Sequence, residues 1–76
     1  MELDILHRVT LLGILKKKPD ESLDDVMEIL IDTGMYDKAE AKKVFDDLRA
    51  SGHIVSGGLS FIGVDAAQRA EREFKQ

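Results

Sequence analysis

The sequence predicts one α+β domain over residues 1–76, mostly helical, and three observations support this prediction. Apolar residues recur at helical spacing as far as Gly52, a β-type stretch containing Gly57-Gly58 follows, and helical spacing returns after Asp65. The predicted architecture is a three-helix core, a β-hairpin and a C-terminal helix. A domain of this length buries only about 60% of its unfolded surface, so we expect a small core.

The first predicted helix covers residues 3–17 and stops before Pro19, with lysines in its last turn. It is apolar on two sides. The first arc, predicted to face the core, contains Ile5, Leu6, Val9 and Leu12. The second, nearly opposite, contains Leu3, Leu11, Ile14 and Leu15. Because a surface helix needs only one apolar face, we predict a homodimer formed through the second arc and Phe74. In the alternative, the last helix covers that arc within one chain.

The second predicted helix covers residues 22–33, with Ser22 as its N-cap and Thr33-Gly34 as its stop. Leu23, Met27 and Leu30 are predicted to be buried. The opposite arc is acidic and carries Asp24, Asp25, Glu28 and Asp32 without a Lys or Arg. Such a stripe either steers a basic protein partner or simply keeps the domain in solution.

The third predicted helix covers residues 37–51, and Asp37 with Glu40 resembles a capping box at its start. Val44 and Leu48 belong to its buried stripe. Only three residues, 34–36, separate this helix from the second one, and a connection that short with a glycine is typical of a helix-turn-helix.

The rest of the chain predicts a hairpin at 53–62, turning at Gly57-Gly58, and a last helix at 65–75 capped by Asp65. The alanines of this helix predict close approach to a neighbouring element. The full predicted core is Ile5, Val9, Leu12, Leu23, Met27, Leu30, Val44, Leu48, Ile54, Phe61, Ala70 and Phe74.

Residues 36–74 resemble the recognition helix, wing and C-terminal helix of winged helix-turn-helix proteins. The matching positions are Leu48, Gly52, Ile54, Leu59-Ser60 and Gly63. The resemblance implies a winged-helix fold and a transcription-regulator-like domain that binds double-stranded DNA, with the third helix in the major groove. Four cations lie on or near the solvent side of that helix and are the expected DNA contacts: Lys38, Lys42, Lys43 and Arg49.

Two features weaken the DNA prediction and favour a winged helix that binds protein instead. Asp46 falls within the same arc as the cations, and the wing tip Ser56-Gly57-Gly58 lacks a cation for a minor groove. One fold can serve unrelated functions, so both interpretations stay open.

The sequence predicts no catalytic, metal or cofactor site. It has no cysteine, and neither His7 nor His53 has a second histidine at helical ligand spacing. Asp24-Asp25 and Asp46-Asp47 are sequence neighbours on helices, so their side chains diverge and cannot act as an acid–base pair. An acidic start and the lack of a long apolar run lead us to expect a cytoplasmic protein without membrane contact.

Overall fold

Residues 3–75 are described by a computed structural model and contain four helices and a two-stranded antiparallel hairpin. The elements are α1 (Ile5–Lys16), α2 (Leu23–Asp32), α3 (Lys38–Ala50), β1 (Ile54–Val55), β2 (Gly58–Leu59) and α4 (Phe61–Phe74). Ile54 pairs with Leu59 and Val55 with Gly58. Within this part of the chain, no helix is long and apolar enough to cross a bilayer.

Helix α1 is apolar on two sides because α2, α3 and α4 all pack against it. Its fully covered side chains include Leu11 and Ile14. Gly13 faces α2, and a Cβ at this position would lie 3.4 Å from Cγ1 of Val26. The helix begins at Asp4, whose carboxylate accepts a hydrogen bond from the backbone N–H of His7 at 3.0 Å.

The structure buries part of the predicted dimer face on α1 within the monomer, and the homodimer itself stays a prediction. Leu11 is 0% exposed and Ile14 is 3% exposed, because α2, α3 and α4 pack around α1 within the monomer. Leu3 and Leu15 are half-buried against the same core, and Phe74 is largely exposed near the end of α4. Leu11 and Ile14 are therefore not available to a second copy of the chain.

Small side chains let α4 approach α1 closely. Ala67 and Ala70 are both buried on α4, as the alanine spacing predicted. Ion pairs join the edges of the two helices: Arg8 Nη1 lies 2.7 Å from Glu73 Oε2, and Lys16 pairs with Glu71. The Lys16 ammonium holds the pKa of the Glu71 carboxyl below its usual range. These two ion pairs therefore link α1 and α4 at separate points along the contact between the helices.

The predicted core is correct for α3 and for β1 and in error at three positions. The confirmed buried residues are Leu23, Val44, Leu48, Ile54 and Ala70, while Val9, Leu12, Met27 and Leu30 are half-buried. Ile5, Phe61 and Phe74 are exposed. Three other large side chains occupy the centre instead, namely Phe45, Leu11 and Thr10. On α1 the error is in the face predicted to be buried. On α4 it is in the predicted start of the helix.

Tyr36 anchors the turn between α2 and α3. Gly34 begins this turn with a φ of 83°, a left-handed conformation that glycine adopts without a steric penalty. The Tyr36 hydroxyl is 2.9 Å from Oγ1 of buried Thr10, which itself donates to the carbonyl of Leu6. Burial raises the pKa of Tyr36. This bond fixes the start of α3 relative to α1.

Helix α4 begins at Phe61, four residues before the predicted Asp65 cap, and the hairpin is correspondingly shorter than 53–62. Ser60 is the cap: its Oγ accepts from the N–H of Gly63 at 3.1 Å, donates to the carbonyl of Gly52 at 2.5 Å and lies 3.2 Å from the carbonyl of His53. A side chain at Gly63 would collide with that same carbonyl. The arrangement of α1 to α4 with the hairpin is compatible with a winged-helix-like fold.

Candidate nucleic-acid interface

Helix α3 buries one stripe and leaves the rest of its surface to solvent. The stripe consists of Ala41, Val44, Phe45 and Leu48. The helix starts at Asp37, whose carboxylate accepts from the N–H of Glu40 at 2.8 Å. This cap satisfies one of the free amides of the first turn and helps fix where the exposed face begins.

The buried side chain of His7 links α3 to the start of α1 through hydrogen bonds. His7 is 7% exposed, with Nδ1 2.6 Å from Asp4 Oδ1 and Nε2 3.2 Å from Asp47 Oδ2. The ring of His7 thus bridges Asp4, the cap of α1, and Asp47 on α3. Hydrogen bonds from His7 hold the pKa of both Asp4 and Asp47 below the usual range. Sequence spacing could not reveal this link, since Asp4 and Asp47 lie on different elements.

An open groove of about 820 Å³ runs between α2 and α3. Met27 and Ile31 of α2 provide its apolar part. Three of the four predicted DNA contacts line it: Lys38, Lys42 and Arg49. The structure therefore brings these three cations onto one surface, in agreement with their helical spacing.

Lys43, the fourth predicted contact, lies off this groove. Its Nζ is 3.2 Å from Asp47 Oδ2, four residues further along α3. The pair draws Lys43 toward the side of the helix that meets His7 and α1. We therefore leave Lys43 out of the candidate interface.

Lys38 and Lys42 have no carboxylate oxygen within 4.0 Å among residues 3–75, whereas Arg49 Nη1 lies 3.5 Å from Asp46 Oδ1. Both lysines are solvent-exposed. Two cations of the groove are therefore available to an anionic ligand without first breaking an ion pair.

The other wall of the groove is acidic. Asp24, Glu28 and Asp32 of α2 line it, and Asp46 lies on the α3 side. The acidic stripe predicted on α2 thus opens into the same space as the α3 cations. Sequence spacing placed each set on its own helix, but the shared groove depends on how the two helices pack.

The hairpin tip is uncharged, and apolar side chains are exposed beside it. Ser56 and Gly57 form the tip with φ values of 50° and 89°. Val55, Phe61 and Ile62 are 51%, 97% and 53% exposed. Phe61 was predicted to be buried, and its exposure follows from the early start of α4.

Neither histidine lies on the groove. His53 Nδ1 is 2.6 Å from the hydroxyl of Ser51 at the end of α3, and burial lowers the pKa of His53. His7 is occupied by the two aspartates described above. Both histidines are thus part of the packing around α3.

Comparison of the chain with protein-family models, with curated proteins and with solved structures finds no match.

Proposed function

We propose that the chain is a small, non-catalytic winged-helix module that binds double-stranded DNA through α3, as a transcription regulator does. One observation carries the proposal. Lys38, Lys42 and Arg49 line one open groove on the exposed side of the second helix of a helix-turn-helix, and a hairpin follows that helix.

The physical basis of this binding is neutralisation of phosphates by the groove cations. Each phosphate contact releases condensed counterions, so log affinity falls with log salt at a slope near −0.9 per contact. Three cations therefore give a slope of about −3 when all of them reach the backbone. The uncharged hairpin tip adds nothing to this slope.

The first prediction is that Lys42→Glu abolishes binding to a random-sequence duplex of about 20 base pairs at low salt. The variant removes one contact and introduces repulsion at the same place. Fluorescence anisotropy with labelled duplex measures the affinity. Lys18→Glu is the matched control, because Lys18 is exposed beyond the end of α1 and carries the same charge change outside the groove.

Wild-type protein should bind at concentrations up to about 100 μM, the weak end of typical non-specific affinities. Failure of the wild type to bind any duplex in that range would overturn the DNA proposal. Equal losses in the two charge reversals would show that net charge, and not the groove, governs binding.

A second candidate is a protein-interaction module that does not bind DNA. The specific observation in its favour is the exposed apolar group Val55, Phe61 and Ile62 beside an uncharged hairpin tip. A partner with basic residues would also be attracted by the acidic stripe of α2. The duplex titration separates the two candidates, since the second expects no binding at any salt concentration.

A further inference from the structure

The groove between α2 and α3 has no excess of positive charge with which to attract phosphate. Its lining includes three cations, Lys38, Lys42 and Arg49, and four carboxylates, Asp24, Glu28, Asp32 and Asp46. Most DNA-binding surfaces are strongly positive and gain affinity from long-range attraction. Here a backbone phosphate approaching α3 meets no net positive field from the groove.

The distance between the helices and the salt concentration determine how strongly the α2 carboxylates repel a phosphate at α3. Packed helices lie about 8–10 Å apart, which is close to the Debye length of about 10 Å at 0.1 M salt. Carboxylates on α2 therefore repel a phosphate at α3 in dilute salt, and this repulsion is largely screened at about 1 M. Direct hydrogen bonds from α3 to base edges act at about 3 Å and escape most of this screening.

We infer that Asp24, Glu28 and Asp32 of α2 form a carboxylate wall that suppresses non-specific DNA binding at α3. The inference rests on the proposed function and assigns a specificity role to residues on the neighbouring helix. Only a duplex that makes direct base contacts with α3 compensates for the repulsion. The wall thereby makes a weakly basic helix selective, because any sequence supplies phosphates but few supply the matching bases.

The test neutralises the wall while keeping the size of its side chains. The triple variant Asp24→Asn, Glu28→Gln, Asp32→Asn should bind random duplex about tenfold more tightly at 0.05 M salt, and this gain should shrink below about twofold at 0.5 M. The single variant Glu28→Gln should give a smaller gain in the same direction, and it leaves the Ser22–Asp25 capping box of α2 untouched.

The matched control changes the same net charge elsewhere. Asp20→Asn, Glu40→Gln and Asp65→Asn alter three exposed carboxylates outside the groove. This control should gain less than about twofold in the same titration. Circular-dichroism melting of each variant shows that any change in binding is not a loss of fold.

The outcomes separate this inference from the proposed function. If wild type and triple variant both fail to bind at about 100 μM in low salt, the DNA proposal itself fails. If Lys42→Glu abolishes binding but the triple variant matches wild type, or the control gains equally, only the wall is overturned. If the triple variant binds more tightly than wild type in low salt, the control does not, and Lys42→Glu removes binding from both backgrounds, the wall is supported.

Discussion

At the scale of single residues, Leu11 shows how a side chain that looks available for a partner is used inside the monomer. It is completely buried, in one core with Phe45 and Leu48 of α3. Truncating a leucine in such a position costs about 2–5 kcal/mol, from lost transfer free energy and from the cavity left behind. A small domain has only about 5–15 kcal/mol of stability in total.

We therefore expect Leu11→Ala to lower the free energy of unfolding by about 2–5 kcal/mol, and Leu11→Glu to prevent folding by burying a charge. Urea unfolding followed by circular dichroism measures both. Ile5→Ala is the control, since Ile5 is exposed on the same helix and its loss should change stability by less than about 0.5 kcal/mol. A folded, stable Leu11→Glu monomer would contradict this packing.

At the scale of elements, the start of α4 depends on a single hydroxyl. Ser60 both caps the helix and donates to the carbonyl of Gly52 in the turn after α3. The serine therefore links three consecutive pieces of the chain: the turn after α3, the hairpin and α4.

Ser60→Ala should destabilise the protein by about 1–2 kcal/mol, because a cap bond and a carbonyl partner are lost together. In a domain of this size, that lowers Tm by roughly 4–15 °C, measured by thermal melting. Ser60→Thr keeps the hydroxyl and should retain most of the stability. Equal melting temperatures for Ser60→Ala and wild type would show that α4 does not need this cap.

The same element shows what the sequence could and could not predict. The predicted bounds of α2 and α3 agree with the structure to within a residue or so, because cap, buried stripe and stop all agree there. Helix α4 was placed too late because Phe61 and Ile62 look like a strand, and the Ser60 to Gly63 cap outweighs that preference. Helix α1 has two apolar faces, so spacing alone could not choose between them.

The candidate site was also predictable from the sequence only in part. Helical spacing found Lys38, Lys42 and Arg49, which the groove brings together. It also included Lys43, whose pairing with Asp47 is decided by the contact between α3 and His7. The acidic wall opposite depends on the packing of two helices, a property that no single stretch of sequence carries.

At the scale of the whole molecule, carboxylates in contacts between elements make stability depend on pH. Asp4 and Asp47 are bonded to His7 and Glu71 is paired with Lys16, and all three have a lowered pKa. Near pH 4 the unfolded chain therefore binds more protons than the folded one, so stability rises with pH in that window.

We expect the free energy of unfolding to be constant with respect to these groups above about pH 5.5 and to fall steadily from about pH 5 toward pH 3. Urea titrations at half-unit pH steps measure this slope. Asp47→Asn should make the slope shallower, because it removes one of the three carboxylates. A slope unchanged by Asp47→Asn would mean that this contact contributes nothing to acid sensitivity.

The covering of α1 by α4 also has a consequence for synthesis of the chain. When α1 leaves the ribosome, its packing partner α4 has not been made, since α4 spans Phe61–Phe74. Until then an apolar helix stays open to water and to other nascent chains, a state prone to aggregation or chaperone binding. The closing contact joins opposite ends of the domain, so we expect folding to be completed only after α4 has emerged in full.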